Sequence, residues 1–275
     1  MVYTRAMRLA GSKGHYTFAV IDATTGDATS YRFELPSVTH ILHGTLARPA
    51  LERWMYRQTV ESVEHLLESY ADGGIGLDEV LAHDLDALLA ENGLRPLDVR
   101  DAAAKRGTNA HNVAEALATG CFGGHDEQTW WYSCCPGEAG VWDRYTAAAE
   151  RWFTETQPAV ICAEVPVWSL SLAYAGTVDL VWYGGHPAAS MPRVLTDFKT
   201  HDPAAERDGG PAYDVDRIQA QAYACAWDEM HTEAPIRATS VVLLGRDGTY
   251  VEDTKPAPQG AWEAVLSMYR RLGGR

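Results

Sequence analysis

Cysteine is scarce in this 275-residue chain: five residues, at positions 121, 134, 135, 162 and 225. An odd number without a CxxC pair excludes a paired disulfide framework and offers no zinc-finger spacing, so a reducing compartment is expected. Basic residues are also few, 23 Lys and Arg against 37 Asp and Glu, a formal charge of −14. That balance excludes a whole-surface coat on nucleic acid or anionic membrane, but not a local basic groove. Long apolar runs are missing. Nothing approaches the ~20 residues a bilayer demands, and the opening MVYTRAMRLAGSKGHYTFAV has no uninterrupted apolar stretch of the signal-peptide kind. A cytoplasmic protein without a membrane partner is expected. No GxxxxGK[ST] phosphate loop is present, so an ATP-driven motor is not built into these residues.

What is present is ordinary globular composition, 46% hydrophobic and 22% charged, in a chain long enough to bury roughly three quarters of its unfolded surface. No internal repeat, low-complexity tract or Ser/Gly linker interrupts it, which favours one continuous domain over two.

Two β-rich runs, Tyr16 to Asp22 and Ser30 to Leu35, flank Thr24-Thr25-Gly26-Asp27 and predict a hairpin. Helical spacing follows over Ser37 to His43, Pro49 to Tyr70, Leu77 to Leu89 and Leu97 to Leu117. A Gly-rich stretch around Trp130-Trp131-Tyr132 reads as a loop, and Val141 to Thr156 as a helix. The pattern then changes to strands at Ala159 to Trp168, Ala173 to Tyr183 and Arg193 to Thr200. A helix near Asp214 to Met230 and strands near Thr239 to Leu244 and Tyr250 to Glu252 complete a mixed sheet with helices on it.

The chemistry concentrates in Arg193 to Thr200, RVLTDFKT. Strand alternation sends Asp197 and Lys199 to one face, roughly 7 Å apart along the backbone. The preceding strand, YAGTVDLVWY, carries Asp179 among apolar neighbours, where an unpaired carboxylate is costly unless it pairs or binds a metal. Two acids on adjacent strands imply a hard cation such as Mg²⁺. Standing alone, a DxK pair is more often a surface ion pair of little energetic worth. Upstream, RGTNAHNVAEAL sets His111 and Glu115 on one helix face, with Gly107 permitting close backbone approach. Downstream, RIQAQAYACAW sets Gln219 and Tyr223 at the same i, i+4 spacing.

In this order the elements resemble the PD-(D/E)XK nuclease superfamily, in the branch of RecB-type nuclease domains and phage exonucleases. The motifs cover about Lys105 to Trp227, and LPSVTHIL with PALERWMYR resembles the N-terminal region of phage-encoded members. The resemblance implies a restriction-endonuclease-like α/β fold: a mixed sheet flanked by helices, with an N-terminal hairpin and helical layer. Residues 1–95 would be that accessory layer, 96–255 the catalytic core and 256–275 a C-terminal helix of a single domain. It implies Asp179 and Asp197 as metal-binding acids for Mg²⁺ or Mn²⁺, His111 as a further ligand and Lys199 as the group that orients or activates water. Glu164, in ICAEVPV, matches an acid often present, with either a metal or water contact or a plain strand-edge role. Gln219 and Tyr223 match the helix that backs the site and touches substrate. Some relatives hold an iron–sulfur cluster through an upstream cysteine and a trio after the last helix. No cysteine follows Cys225, so no cluster is expected.

The implied activity is metal-dependent hydrolysis of DNA from its ends, in phage or bacterial recombination, repair or end processing. A bacterial or phage-infected cell is the setting, and a phage recombinase or single-strand annealing protein a candidate partner. Lys105, Arg106, Arg193, Arg207 and Arg217 flank the motifs and are candidates for a phosphate track. Trp130 to Tyr132 are candidates for stacking on an unpaired base, against the commoner role of aromatic residues in cores. A structure-specific endonuclease and a non-catalytic DNA-binding or assembly protein of the same fold remain the alternatives.

Overall fold

The computed structural model describes residues 6–12, 14–21, 25, 28–46, 49–73, 84–120, 139–184, 192–200, 211–245 and 247–274. The aromatic triplet 130–132, Cys121, Cys134, Cys135, Arg207 and the start of the helix expected from Leu77 lie outside them.

The chain is a mixed α/β protein that divides into two compact units, residues 1–46 with 110–275, and residues 47–109. Residues 47–109 have a small core of their own. Helices α2 (Pro49–Asp72) and α3 (Leu85–Glu91) bury Leu66, Leu88 and Leu89, with Val63, Leu67, Tyr70 and Leu94 packed around them. Helix α4 (Pro96–Thr119) supplies residues up to Asn109 to this unit and from Ala110 to the other.

The larger unit holds two sheets. Strands β1 (Ala6–Ser12), β2 (His15–Ile21) and β3 (Ala28–Pro36) form an antiparallel three-stranded sheet, one strand more than the expected hairpin. This sheet belongs with the larger unit and not with the helical layer. Phe18 and Leu35 pack on Ala175 and Trp168, Tyr16 Oη lies 2.9 Å from Thr177 Oγ1, and Ser37 bridges Ala175. Helix α1 (Val38–Thr45) follows at once, its N-terminus capped by the Ser37 hydroxyl, which accepts from His40 N at 3.0 Å.

The main sheet has the order β4 (Ala159–Ser169), β5 (Tyr174–Tyr183), β6 (Arg193–Lys199), β7 (Ile236–Leu244), β8 (Tyr250–Asp253). Among the described strands of this sheet β6 and β7 are the parallel pair, and helix α6 (Asp214–Met230) makes the crossover that a parallel pair requires. Helices α1, α6 and α7 (Ala261–Arg271) cover one face, closing a core around Ile41, Tyr174, Val178, Leu195, Trp227 and Trp262. The end of α4 and helix α5 (Ala139–Thr156) cover the other, with Trp152 set edge-on to Trp182 and Phe198. Among the described residues no helix is long and apolar enough to cross a membrane.

Candidate functional site

Four elements of the larger unit meet at one rung of the main sheet. On β6, Leu195 packs into the first core while Val194 and Phe198 pack into the second. Strand alternation therefore gives Asp197 and Lys199 to the α6 side, as their spacing requires. Lys199 Nζ stands 2.5 Å from Asp197 Oδ2, and Asp197 is only 1% exposed.

The ladder between β5 and β6 stops at Leu180↔Thr196, one step short of this pair. In place of the next rung, the Asp179 carboxylate accepts the Phe198 amide at 2.7 Å. The strands part there, and the gap admits groups from α4 and β4. His111 Nδ1 lies 3.2 Å from Asp179 Oδ2 and 3.8 Å from Glu164 Oε1. One ligand atom each from His111, Glu164 and Asp179 falls within 4.8 Å of the others. Glu164 has a left-handed backbone, φ +50°, which costs a residue with a side chain about 1–2 kcal/mol.

The charges respond to this crowding. Burial opposes a charged His111, but the adjacent Asp179, helped by Glu164, raises it to about 10. Burial likewise opposes a charged Asp179, yet His111 and Lys199 hold it below the usual carboxylate value. Burial raises Glu164. Burial, with the Asp179 charge nearby, pushes Asp197 up to about 7 despite Lys199. Burial alone would lower Lys199, but Asp197, with Asp216 and Asp179, raises it. Lys199 is thus held as an ammonium.

A divalent cation suits these donors. Three carboxylates face one imidazole and one ammonium, leaving the site rich in negative charge and in oxygen and nitrogen ligands. Among the described residues no well-aligned hydrogen bond reaches the buried Asp197 Oδ2, so its contact with Lys199 leaves accepting capacity unused. The imidazole ligates only as the neutral base, so cation binding displaces its proton.

The remaining candidates separate. Gln219 Nε2 donates to Tyr223 Oη at 2.7 Å and lies 3.5 Å from Thr39 Oγ1. Tyr223 is 5% exposed, and its ring covers Gly176 so closely that a Cβ there would come within 2.2 Å of it. Glu115 is exposed on α4. Arg106 and Gly107 lie in the part of α4 assigned to the smaller unit. Arg217 needs correction as a phosphate contact. It is 2% exposed, its Nη2 donates to Asp253 Oδ2 at 2.5 Å and its Nη1 to Asp214 Oδ1 at 2.7 Å. The reason is tertiary: α6 turns this side chain onto β8, where Asp253 also accepts from Ala212 N and Lys255 N.

Two features of the site have no sequence signal of their own, the Phe198 amide that anchors Asp179 and the left-handed Glu164. The nearest clue to the second is that Glu164 interrupts an otherwise apolar strand. No family model matches the chain, and no curated protein matches it. Among solved structures, one described as "Crystal structure of SSO0001" is similar over 58% of this chain and 72% of its own. The identity is 10% and the TM-score 0.30, a likeness too slight to bear on fold or activity.

Proposed function

We propose that this chain is a metal-dependent deoxyribonuclease of the PD-(D/E)XK type, with the restriction-endonuclease-like fold, hydrolysing phosphodiester bonds from DNA ends. The observation that carries the reading is the meeting of His111, Glu164 and Asp179 within 4.8 Å beside the buried Asp197–Lys199 pair.

Phosphodiester hydrolysis needs charge neutralised on the phosphoryl oxygens, an activated water and a stabilised leaving oxygen. A bound Mg²⁺ or Mn²⁺ supplies Lewis acidity and a water of lowered pKa. His111, Glu164 and Asp179 are the side chains that would hold it, with Asp197 across the gap between β5 and β6. Lys199, kept protonated by Asp197, serves as a fixed cation for phosphoryl charge and water orientation. Tyr223 and Gln219 back the site from α6. With a charge of −14 the protein gains little from general attraction to duplex, which favours engagement at an end. A phage recombinase or single-strand annealing protein fits such end processing as a partner.

The test is digestion of linear and covalently closed circular DNA with Mg²⁺, Mn²⁺ or chelator, beside Asp179→Ala and Lys199→Ala. Metal-dependent loss of linear DNA from its termini, absent in both variants, supports the reading. Chelator-resistant cleavage, or a Lys199→Ala protein as active as the parent, overturns it. Rapid loss of closed circles replaces the exonuclease with an endonuclease.

A further inference from the structure

The N-terminal sheet meets the main sheet beside the acidic gap, and it brings a hydroxyl there. On β5, Tyr174 and Val178 pack into the core under α6 and Gly176 lies under the Tyr223 ring, so alternation turns Ala175 and Thr177 to the opposite face. On β4, Val167 belongs to the α6 core, which turns Trp168 and Pro166 the same way. The register pairs Trp168↔Ala175 and Pro166↔Thr177. The next rung on that face, between Val165↔Val178 and Ala163↔Leu180, sets Glu164 against Asp179. Phe18 and Leu35 pack on the first of these rungs, and His111 of α4 reaches the third. The middle rung lies between, with Thr177 half-buried and the Tyr16 Oη 2.9 Å from its Oγ1.

Two hydroxyls so placed suit an anion. Each can donate one proton, and their mutual bond uses one of the two. The Tyr16 ring is stacked near Phe18, 6.4 Å between centroids, so its hydroxyl is aimed before any ligand arrives. Thr177 and Asp179 are two strand residues apart, roughly 7 Å. Successive phosphates of a nucleic-acid strand repeat on the same scale. A Lys or Arg at this place would pair with Glu164 and Asp179, whereas neutral hydroxyls hold a phosphate and leave those carboxylates to the cation. Joining the sheets does not require the hydroxyls, since Phe18, Leu35, Ala175 and Trp168 do so by apolar contact.

We propose that Tyr16 and Thr177 form a subsite for the phosphate next to the one cleaved, so that the N-terminal sheet sets how the strand lies across the cation site. The inference rests on the metal-dependent nuclease reading above. It differs from a structural pin in what it moves. A pin changes stability, whereas a phosphate subsite changes KM and makes it depend on the charge of one linkage.

The experiment compares Tyr16→Phe, Thr177→Val and the double variant with the parent on a short labelled DNA duplex in Mn²⁺. The duplex is either uniform or carries one neutral methylphosphonate at the second or third linkage from its end. KM should rise about tenfold in each single variant while kcat changes by less than about threefold. At one of the two linkages the methylphosphonate should cost the parent about tenfold in kcat/KM and the double variant less than about twofold, because the hydroxyls it would meet are gone. Thr177→Val is close in shape and suits a strand, so it carries the same readout if Tyr16→Phe folds poorly. KM within about twofold of the parent in both single variants, or equal methylphosphonate penalties in parent and double variant, overturns the proposal even where the variants melt lower. Metal-dependent cleavage with KM unmoved removes this inference alone. Where the parent cuts no DNA, the same duplex is titrated by fluorescence anisotropy in Ca²⁺. Affinity about tenfold weaker in the variants then removes the nuclease reading and leaves this inference, and unmoved affinity removes both.

Discussion

Among the described residues of the larger unit, two charge clusters form around a deeply buried aspartate, Asp253 in one and Asp197 in the other, and they are built differently. In one, the buried Arg217 and Asp253 are joined by a side-chain hydrogen bond, the exposed Asp214 also accepts from Arg217, and the amides of Ala212 and Lys255 complete Asp253. Burial alone would raise Asp253, yet these donors hold it below the ordinary carboxylate value. In the other, Asp197 is as deeply buried but rests against Lys199 without an aligned hydrogen bond, and burial raises it to about 7. The ionic cluster secures α6 to β8. The acid-rich one is where the proposed cation would sit. Burial of charge therefore does not separate structure from function here; what surrounds each carboxylate does, amide and guanidinium donors at Asp253 and further acids at Asp197.

The largest contrast is between Asp197→Ala and Asp253→Ala. The first should reduce metal-dependent DNA cleavage about 10³-fold or more while the protein stays folded. The second should leave the chemistry in place but cost about 3–5 kcal/mol of stability, because it removes the buried carboxylate that faces the Arg217 guanidinium in the interior. Urea unfolding beside an initial-rate nuclease assay checks both. Equal stability losses in the two variants would break the comparison.

Acid should find the ionic cluster next. The folded pKa of Asp253 is depressed, so its stabilisation is fully present above the ordinary carboxylate value near 3.8 and is lost as pH falls through the lower folded value. Melting temperature against pH should fall in that acid window for the parent and be flatter for Asp253→Asn. Parallel curves would remove Asp253 from the acid response.

Gly176→Ala sharpens the comparison from the side of α6, since one helix carries both Arg217 and Tyr223. The added Cβ meets the Tyr223 ring at 2.2 Å, and overpacking of this sort costs about 1–3 kcal/mol. Cleavage should fall with it, as Tyr223 and Gln219 shift together, while the acid unfolding set by Asp253 keeps its midpoint. The smallest effect belongs to Ser37→Ala, which removes the α1 cap at about 1 kcal/mol and touches neither cluster. A measurable loss of nuclease activity in that variant would tie α1 to the site through Thr39.

What the sequence determined by itself is what local periodicity controls. The meeting of Asp197 and Lys199 follows from strand alternation, and the i, i+4 contact of Gln219 with Tyr223 from helical spacing. Each needs no knowledge of the rest of the chain. The main strands and the helix Asp214–Met230 were legible for the same reason, their apolar periods being unbroken. Strand β1 was not, since AMRLAGS is weakly patterned and gains its place by pairing with β2. Only the tertiary structure decided that Arg217 turns inward to Asp253, that residues 47–109 close a core of their own, and that Glu164 joins His111 and Asp179. In each case the outcome depends on what packs above a side chain and on where a strand abandons its alternation. Those are contacts between distant residues, and no local period encodes them.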